Sequence, residues 1–410
     1  DTPVRVLCMD GGGMRGYCTI VMLKRILEAT GAWCLGEVFD LIVGTSTGGI
    51  IALGAGLLRM TVVELDALYE QMAKDVFKPD SYVSLLTKGP GHVAAKSFEN
   101  VLQNVLGEDP DAELYTVGAH QRWFRSFVPP PRVVLVSSLV SRNPSSLYMH
   151  RSYRRENHSP SIVASSSKMK KSELDYAGDF RIGMSAALRA TTAAPWYMEE
   201  LICDKELGYG SVEMSEKVSE NKNGGGGGDD DDDDDDNEKT KDKAKSGTSQ
   251  GTALNKLRPS DGNSRTQLRF IDGAISCNNP AAAAVFEAKR IFNPKRPLVL
   301  VSVGTGYPIP RDVPASIGAQ WVQNVVNATC DVIQVDATIR HVLDEQRDEY
   351  FRFQPQGEIF SCALNDTSAD AQKKLKQTAL RYVNSAKQRC EIDRLAFLLR
   401  KSRKILPRRR

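Results

Sequence analysis

Apolar residues fall in short blocks along this chain, and the spacing within each block changes in a regular way. Residues 4–9 and 38–43 are apolar runs rich in Val, Leu and Ile, each interrupted by one charged residue, the pattern of strands buried on both faces. Between them Ile20, Leu23, Ile26 and Leu27 recur at helical spacing up to Gly31, and a second helix is expected from Gly48-Gly49 onward. The order strand, turn, helix, strand, turn, helix is the βαβ signature of a parallel sheet. Further helices are predicted over 61–72, 98–106, 179–192 and 281–291, with strands over 132–140, 268–271, 298–303 and 350–353. The last strand interrupts a mainly helical final third. The pattern predicts one α/β domain with a central, mostly parallel sheet flanked by helices.

Two stretches break it. Residues 156–172 are polar and serine-rich, as expected of a loose loop. Residues 214–267 hold Gly224 to Gly228 and the run Asp229 to Asp236 with almost no apolar positions. Such a segment buries too little surface to offset its ordering entropy. Because a core strand resumes at Leu268, it is expected to be a disordered insertion within a domain spanning 1–400, followed by a basic tail at 401–410. The default role of the aspartate run is a solvated spacer, since it lacks the alternating ligands of a calcium loop.

Composition narrows the class. At 410 residues and 41% hydrophobic content the chain can bury a substantial core. The net charge of +3 includes the eight aspartates, so the remainder carries +11, which suits an anionic membrane or a nucleic acid equally. Eight cysteines show no CxxC spacing and neither Cys nor His clusters, so reduced thiols without a zinc site are expected. No run approaches the ~20 apolar residues that span a bilayer, and 50–58 contains two glycines. Membrane contact is therefore expected to be peripheral. A core strand starting at once after Asp1 speaks against a signal peptide, and the missing Met suggests a processed protein or an excised domain.

Candidate chemistry lies at the two turns. Gly44-Thr45-Ser46-Thr47-Gly48 fits the nucleophile elbow, where flanking glycines (Gly44, Gly48) let backbone approach a sharply held serine. Gly11, Gly12 and Gly13 form a row of small residues whose N–H groups can face one developing anion. Arg15 beside them adds positive charge or holds the turn by a salt bridge. A nucleophile and an oxyanion hole together point to acyl transfer or hydrolysis. The first turn also fits a dinucleotide fingerprint, but the second strand ends without the acidic residue that binds ribose. No Gly-Lys-Ser/Thr follows either turn, which excludes a P-loop.

Ser46 needs a base. His341 alone among five histidines follows the best acid, and it sits in a helical stretch where packing or surface roles are the rule. Asp272 ends an apolar strand and is followed by Gly273 and Ala274, which leave room for a serine. In a parallel sheet such strand ends gather at one edge, and a partly desolvated carboxylate there becomes basic enough to serve.

Asp10-Gly-Gly-Gly-Met-Arg-Gly16, Gly44-Thr-Ser-Thr-Gly48 and Asp272-Gly-Ala274 resemble the three signatures of the patatin-like phospholipase family, in that family's order. Asn278-Asn-Pro280 and Ser302-Val-Gly-Thr-Gly306 agree, and the likeness covers residues 4–306. The resemblance implies the three-layer patatin-like fold and a Ser46–Asp272 dyad, with the Gly11 to Gly13 turn as oxyanion hole. It implies hydrolysis of acyl esters of glycerophospholipids or lysophospholipids through an acyl-enzyme, with no cofactor, no metal and no calcium requirement. The partners it implies are an acyl-lipid substrate and a membrane surface, not nucleic acid, with a cytoplasmic, peripherally membrane-associated location. Trp196 and Tyr197 resemble the family's Ala-Ala-Pro-x-Tyr/Phe segment and are candidates for an acyl channel, a packed aromatic pair being the alternative. Two rival readings are a Ser46–Asp272–His341 esterase and a non-catalytic lipid-binding protein of the same fold. The basic tail, preceded by Leu395, Phe397, Leu398 and Leu399, is a candidate for lying on anionic lipid. Oligomeric state is not encoded in any of these features.

Overall fold

The apolar runs on either side of the first glycine turn become neighbouring strands. In the computed structural model β1 (Val4–Met9) and β2 (Leu41–Thr45) pair in parallel, with Val6 opposite Leu41 and Met9 opposite Gly44. Every residue of both strands is buried. The connection runs through α1 (Gly16–Thr30), closed by Gly31 in the left-handed conformation, and the short α2 (Leu35–Val38). β2 therefore starts three residues later than the apolar pattern suggests. Asp40 ahead of it accepts hydrogen bonds from the Arg5 backbone and guanidinium instead of entering the strand.

Residues 2–76, 92–106, 109–124, 130–154, 176–195, 197–204, 267–310 and 331–402 are described by the structure. The chain divides into two units, 1–212 with 266–410 and 213–265. The first holds the sheet. The second lies outside the described residues, as do the serine-rich stretch 156–172 and positions 403–410 of the tail.

The other strands are β3 (Arg132–Leu139), β4 (Ser146–Arg151), β5 (Ala177–Asp179), β6 (Leu201–Asp204), β7 (Gln267–Asp272), β8 (Leu298–Val303) and β9 (Glu349–Phe353). They form a nine-stranded sheet in the order β5-β4-β3-β2-β1-β8-β9, with β7 paired to β3 and β6. Pairs β1–β2, β1–β8, β2–β3, β8–β9 and β4–β5 are parallel. The pairs β3–β4, β3–β7 and β6–β7 are antiparallel.

Helices cover both faces, which is what makes the central strands predominantly apolar. α3 (Thr47–Ile51) continues as a π-helical turn over 52–57, followed by α4 (Val62–Asp75), whose Thr61–Glu64 capping box closes its start. Then come α5 (His92–Leu106), α6 (Leu114–Phe124), α7 (Met184–Thr192), α8 (Ala274–Cys277), α9 (Ala281–Ile291), α10 (Ile333–Val342), α11 (Ala369–Val383) and α12 (Ala386–Ser402). Leu7 and Met9 of β1 face a core with α1, α4, α5, α7, α11 and α12, while Val4, Val6 and Cys8 face α9 and α10. The result is a mixed α/β, three-layer arrangement with a mostly parallel sheet between helices.

Three expectations need correction. α7 begins at Met184, not 179, because 177–179 forms β5 and Asp179 Oδ1 accepts the Ile182 N–H in the turn that follows. Strands β4, β5 and β6 are absent from the expected set because they are short and each ends in a charged residue, Arg151, Asp179 and Asp204. The C-terminal apolar stripe is mostly spent on the core: Leu395 and Leu399 are buried in α12, and of the stripe only Phe397 is largely exposed. Among the described residues no helix is long and apolar enough to cross a membrane.

Candidate active site

Ser46 sits between the last residue of β2 and the first of α3 with φ 53 and ψ −120. A non-glycine residue in that region is strained and persists only where its surroundings over-determine it. Here they do. A Cβ on Gly44 would strike the Gly48 carbonyl, and one on Gly48 the Met9 carbonyl, so only glycines permit the tight crossing of β2, α3 and β1. The Ser46 N–H donates to Thr191 Oγ1 at 2.9 Å, and the Ser46 carbonyl accepts from Ile50 N at 3.1 Å.

Asp272 reaches the same point from the opposite direction. β2 runs along the edge of β3 until Thr45 stands opposite Val136, and β7 takes over the same edge with Asp272 opposite Ser137. The carboxyl ends of two oppositely directed strands thus meet head-on. The expectation of parallel strand ends gathered at one edge is corrected accordingly: β7 is antiparallel to β3, because it returns from β6 in a hairpin. Ser46 Oγ donates to Asp272 Oδ2 at 2.6 Å, and Ala274 N donates to Oδ1 at 2.8 Å. The Asp272 N–H is bound by the Ala193 carbonyl and its own carbonyl by Ser138 Oγ, both at 2.9 Å. Asp272 is 3% exposed. Burial pushes it from 3.8 up to about 6, against the hydrogen bonds from Ser46 and Ala274, which lower it. A carboxylate of that basicity, in contact with a hydroxyl, can take its proton.

The glycine turn lies against this pair. A Cβ on Gly11 would stand 3.2 Å from Ser46 Cβ. The three glycines are not equivalent. The Gly11 N–H is already held by Asn278 through Oδ1 at 3.1 Å and the carbonyl at 3.3 Å, and Thr305 Oγ1 donates to the Gly11 carbonyl. For the N–H groups of Gly12 and Gly13 no acceptor exists among the described residues. Met14 N donates to the Leu364 carbonyl at 2.8 Å, and Thr47 Oγ1 ties the elbow to the turn through the Gly13 carbonyl at 2.8 Å. Arg15 donates to the Phe360 carbonyl at 3.0 Å, so its guanidinium braces the turn. The arrangement places a hydroxyl against a buried carboxyl, beside two backbone donors with no acceptor among the described residues, the parts that acyl transfer requires.

Residues 7–285 match the patatin-like phospholipase family. This chain belongs to it. Phospholipase A I of Arabidopsis thaliana is 25% identical over 96% of this chain and 28% of its own length. Calcium-independent phospholipase A2-gamma of Homo sapiens is 24% identical over 94% of this chain and 39% of its own. The chain thus spans well under half of the curated relatives it matches. A solved structure, VipD from Legionella pneumophila, aligns with 92% of this chain and 67% of its own at 10% identity and a TM-score of 0.34.

In this patatin-like chain the structure brings Ser46, Asp272 and the Gly11 to Gly13 turn together. It does not bring His341, which is exposed on α10. Ser46 and Asp272 touch directly, which leaves no space for an intervening imidazole. Tyr197 is half-buried, four residues beyond the Ala193 that binds Asp272; Trp196 lies outside the described residues. Among the described residues no group of three or more His, Cys, Asp or Glu side chains is placed to hold a metal. Sequence reasoning missed Thr191, Asn278 as a partner of Gly11, and Arg352, which grips Asp10. A charged residue inside the apolar run Tyr350 to Phe353 was the available signal for the last, since a buried Arg demands a buried anion.

Proposed function

We propose that this chain hydrolyses acyl esters of glycerophospholipids or lysophospholipids through a Ser46–Asp272 dyad, without calcium. Ser46 Oγ attacks the acyl carbonyl as Asp272 Oδ2 takes its proton. The oxyanion is received by the N–H groups of Gly12 and Gly13, Gly11 serving the shape of the turn. Asp272 returns the proton to the departing alcohol, leaving an acyl-enzyme. Asp272 then accepts a proton from water as it attacks the acyl group, and returns it to Ser46 Oγ as the acyl–oxygen bond breaks and the fatty acid leaves. The observation that carries this reading is the 2.6 Å contact between Ser46 and a buried carboxyl raised to about 6. The phospholipase names of the relatives support the substrate class, and the calcium-independent name of one supports the absence of a calcium requirement. Contact with a peripheral membrane surface belongs to the same proposal, because such substrates reside there.

Fatty acid release from phospholipid vesicles with chelator present tests it. Wild type is expected to be active, with Ser46→Ala and Asp272→Asn each at least about 10³-fold slower, the scale of losing a nucleophile or its base. Equal inactivity of all three on phospholipid and on a simple soluble ester would overturn the enzyme reading in favour of a lipid-binding protein.

A further inference from the structure

Besides Thr47 on the Gly13 carbonyl and Asn278 on the Gly11 N–H, the groups that hold the oxyanion turn come from late in the chain. Asp10 directly precedes Gly11 and is 1% exposed. Arg352 of β9 grips both of its carboxylate oxygens, Nη2 to Oδ2 at 2.5 Å and Nη1 to Oδ1 at 2.8 Å. Nη1 also donates to Ser302 Oγ at 2.7 Å. The three positions follow from the register of the sheet. Cys8 pairs with Ser302 and Ser302 with Arg352, and Asp10 projects two residues beyond Cys8 on the same side. The Asp10 N–H is meanwhile fixed to the Val303 carbonyl at 3.1 Å. A planar fork holding a carboxylate at two points fixes its direction as well as its place. Beyond Gly11, the Thr305, Phe360 and Leu364 contacts clamp the rest of the turn. Residues 302–305, 352, 360 and 364 all lie past residue 285, where the family match ends.

We infer that Arg352 is the positioning residue of the oxyanion turn: by its two-point grip on Asp10 it sets the direction of the Gly12 and Gly13 N–H groups relative to Ser46. Arg352 touches no reacting atom. It acts through Asp10, whose carboxylate it holds at both oxygens. The inference rests on the acyl-hydrolase reading for its catalytic consequence, but the tether itself is a property of the folded chain.

The test compares wild type with Arg352→Met, Arg352→Lys and the milder Ser302→Ala. Turnover of a soluble ester is measured per titrated active site, so that misfolded protein does not count, alongside hydrogen exchange of residues 10–16. Arg352→Met is expected to lower kcat about 10²-fold, the scale of one misplaced oxyanion donor, with KM unchanged. Exchange at 10–16 should quicken while that of β3 and α9 does not. Arg352→Lys should recover part of both effects, since a point charge replaces the fork. Ser302→Ala should shift both slightly in the same direction. If Arg352→Met folds with wild-type kcat, or leaves exchange at 10–16 unchanged, the inference is wrong. If Arg352→Met does not fold, Arg352→Lys and Ser302→Ala decide by the same two readouts. If wild type shows no turnover, the function reading fails and exchange alone decides: faster exchange at 10–16 supports the tether and unchanged exchange overturns it.

Discussion

A carboxyl raised from 3.8 to about 6 by burial carries a cost as well as a function. Protonated Asp272 is at ease in its site, and its contribution to stability is complete below pH 4. That contribution is lost as pH rises through about 6, because the folded chain must then hold an ionised group that water would solvate better. Two pKa units at about 1.4 kcal/mol each set a ceiling near 3 kcal/mol. Asp272→Asn, neutral at every pH, should therefore melt above wild type at pH 8 and lose most of that advantage at pH 4.5, while being inactive. Equal melting differences at both pH values would show that the carboxyl ionises in its ordinary range. The acid limb of ester turnover should share the same midpoint near 6, since only the ionised form can accept the serine proton.

The elbow element is held sideways by α7, and this was the least legible part of the site. Thr191 Oγ1 accepts from Ser46 N and donates to the Val136 carbonyl at 2.5 Å, joining helix, elbow and β3 through one hydroxyl. Thr191→Val keeps the shape and orphans both backbone groups, at about 1–3 kcal/mol each. Lower melting and lower kcat are expected, with Thr191→Ser close to wild type; an unaffected valine variant would remove Thr191 from the site. β1, β2 and β8 could be read in advance because strands covered on both faces are mostly apolar, and the placing of Ser46 and Asp272 at turns because tight turns demand glycine beside them. The direction of β7 could not, since the hairpin that reverses it is masked by a long polar segment. Nor could the capture of Gly11 by Asn278, or of Asp10 by Arg352: each is a pairing across hundreds of residues that no local spacing encodes.

At the scale of the whole molecule, the segment 205–266 enters and leaves at a single rung of the sheet. Asp204, the last residue of β6, pairs directly with Gln267, the first of β7. The strand pair that delivers Asp272 is thus a hairpin whose connection can be of any length, and 213–265 groups as a unit of its own. Loop-closure entropy grows by about 0.6 kcal/mol per doubling of a connection's length, so shortening this one to two residues, some five doublings, is expected to remove up to about 3 kcal/mol. Replacing 205–266 by Asn-Gly, the two-residue turn that matches strand twist, should raise the melting temperature and leave ester turnover per active site intact. The expectation rests on the pairing of Leu201 to Asp204 with β7 and of β7 with β3, which together bring Asp272 to Ser46. If the shortened chain folds but loses turnover on a soluble ester, the inserted segment contributes to the chemistry itself. If it loses only turnover on vesicles, the segment acts in meeting the lipid surface, and the dyad stands on the sheet alone.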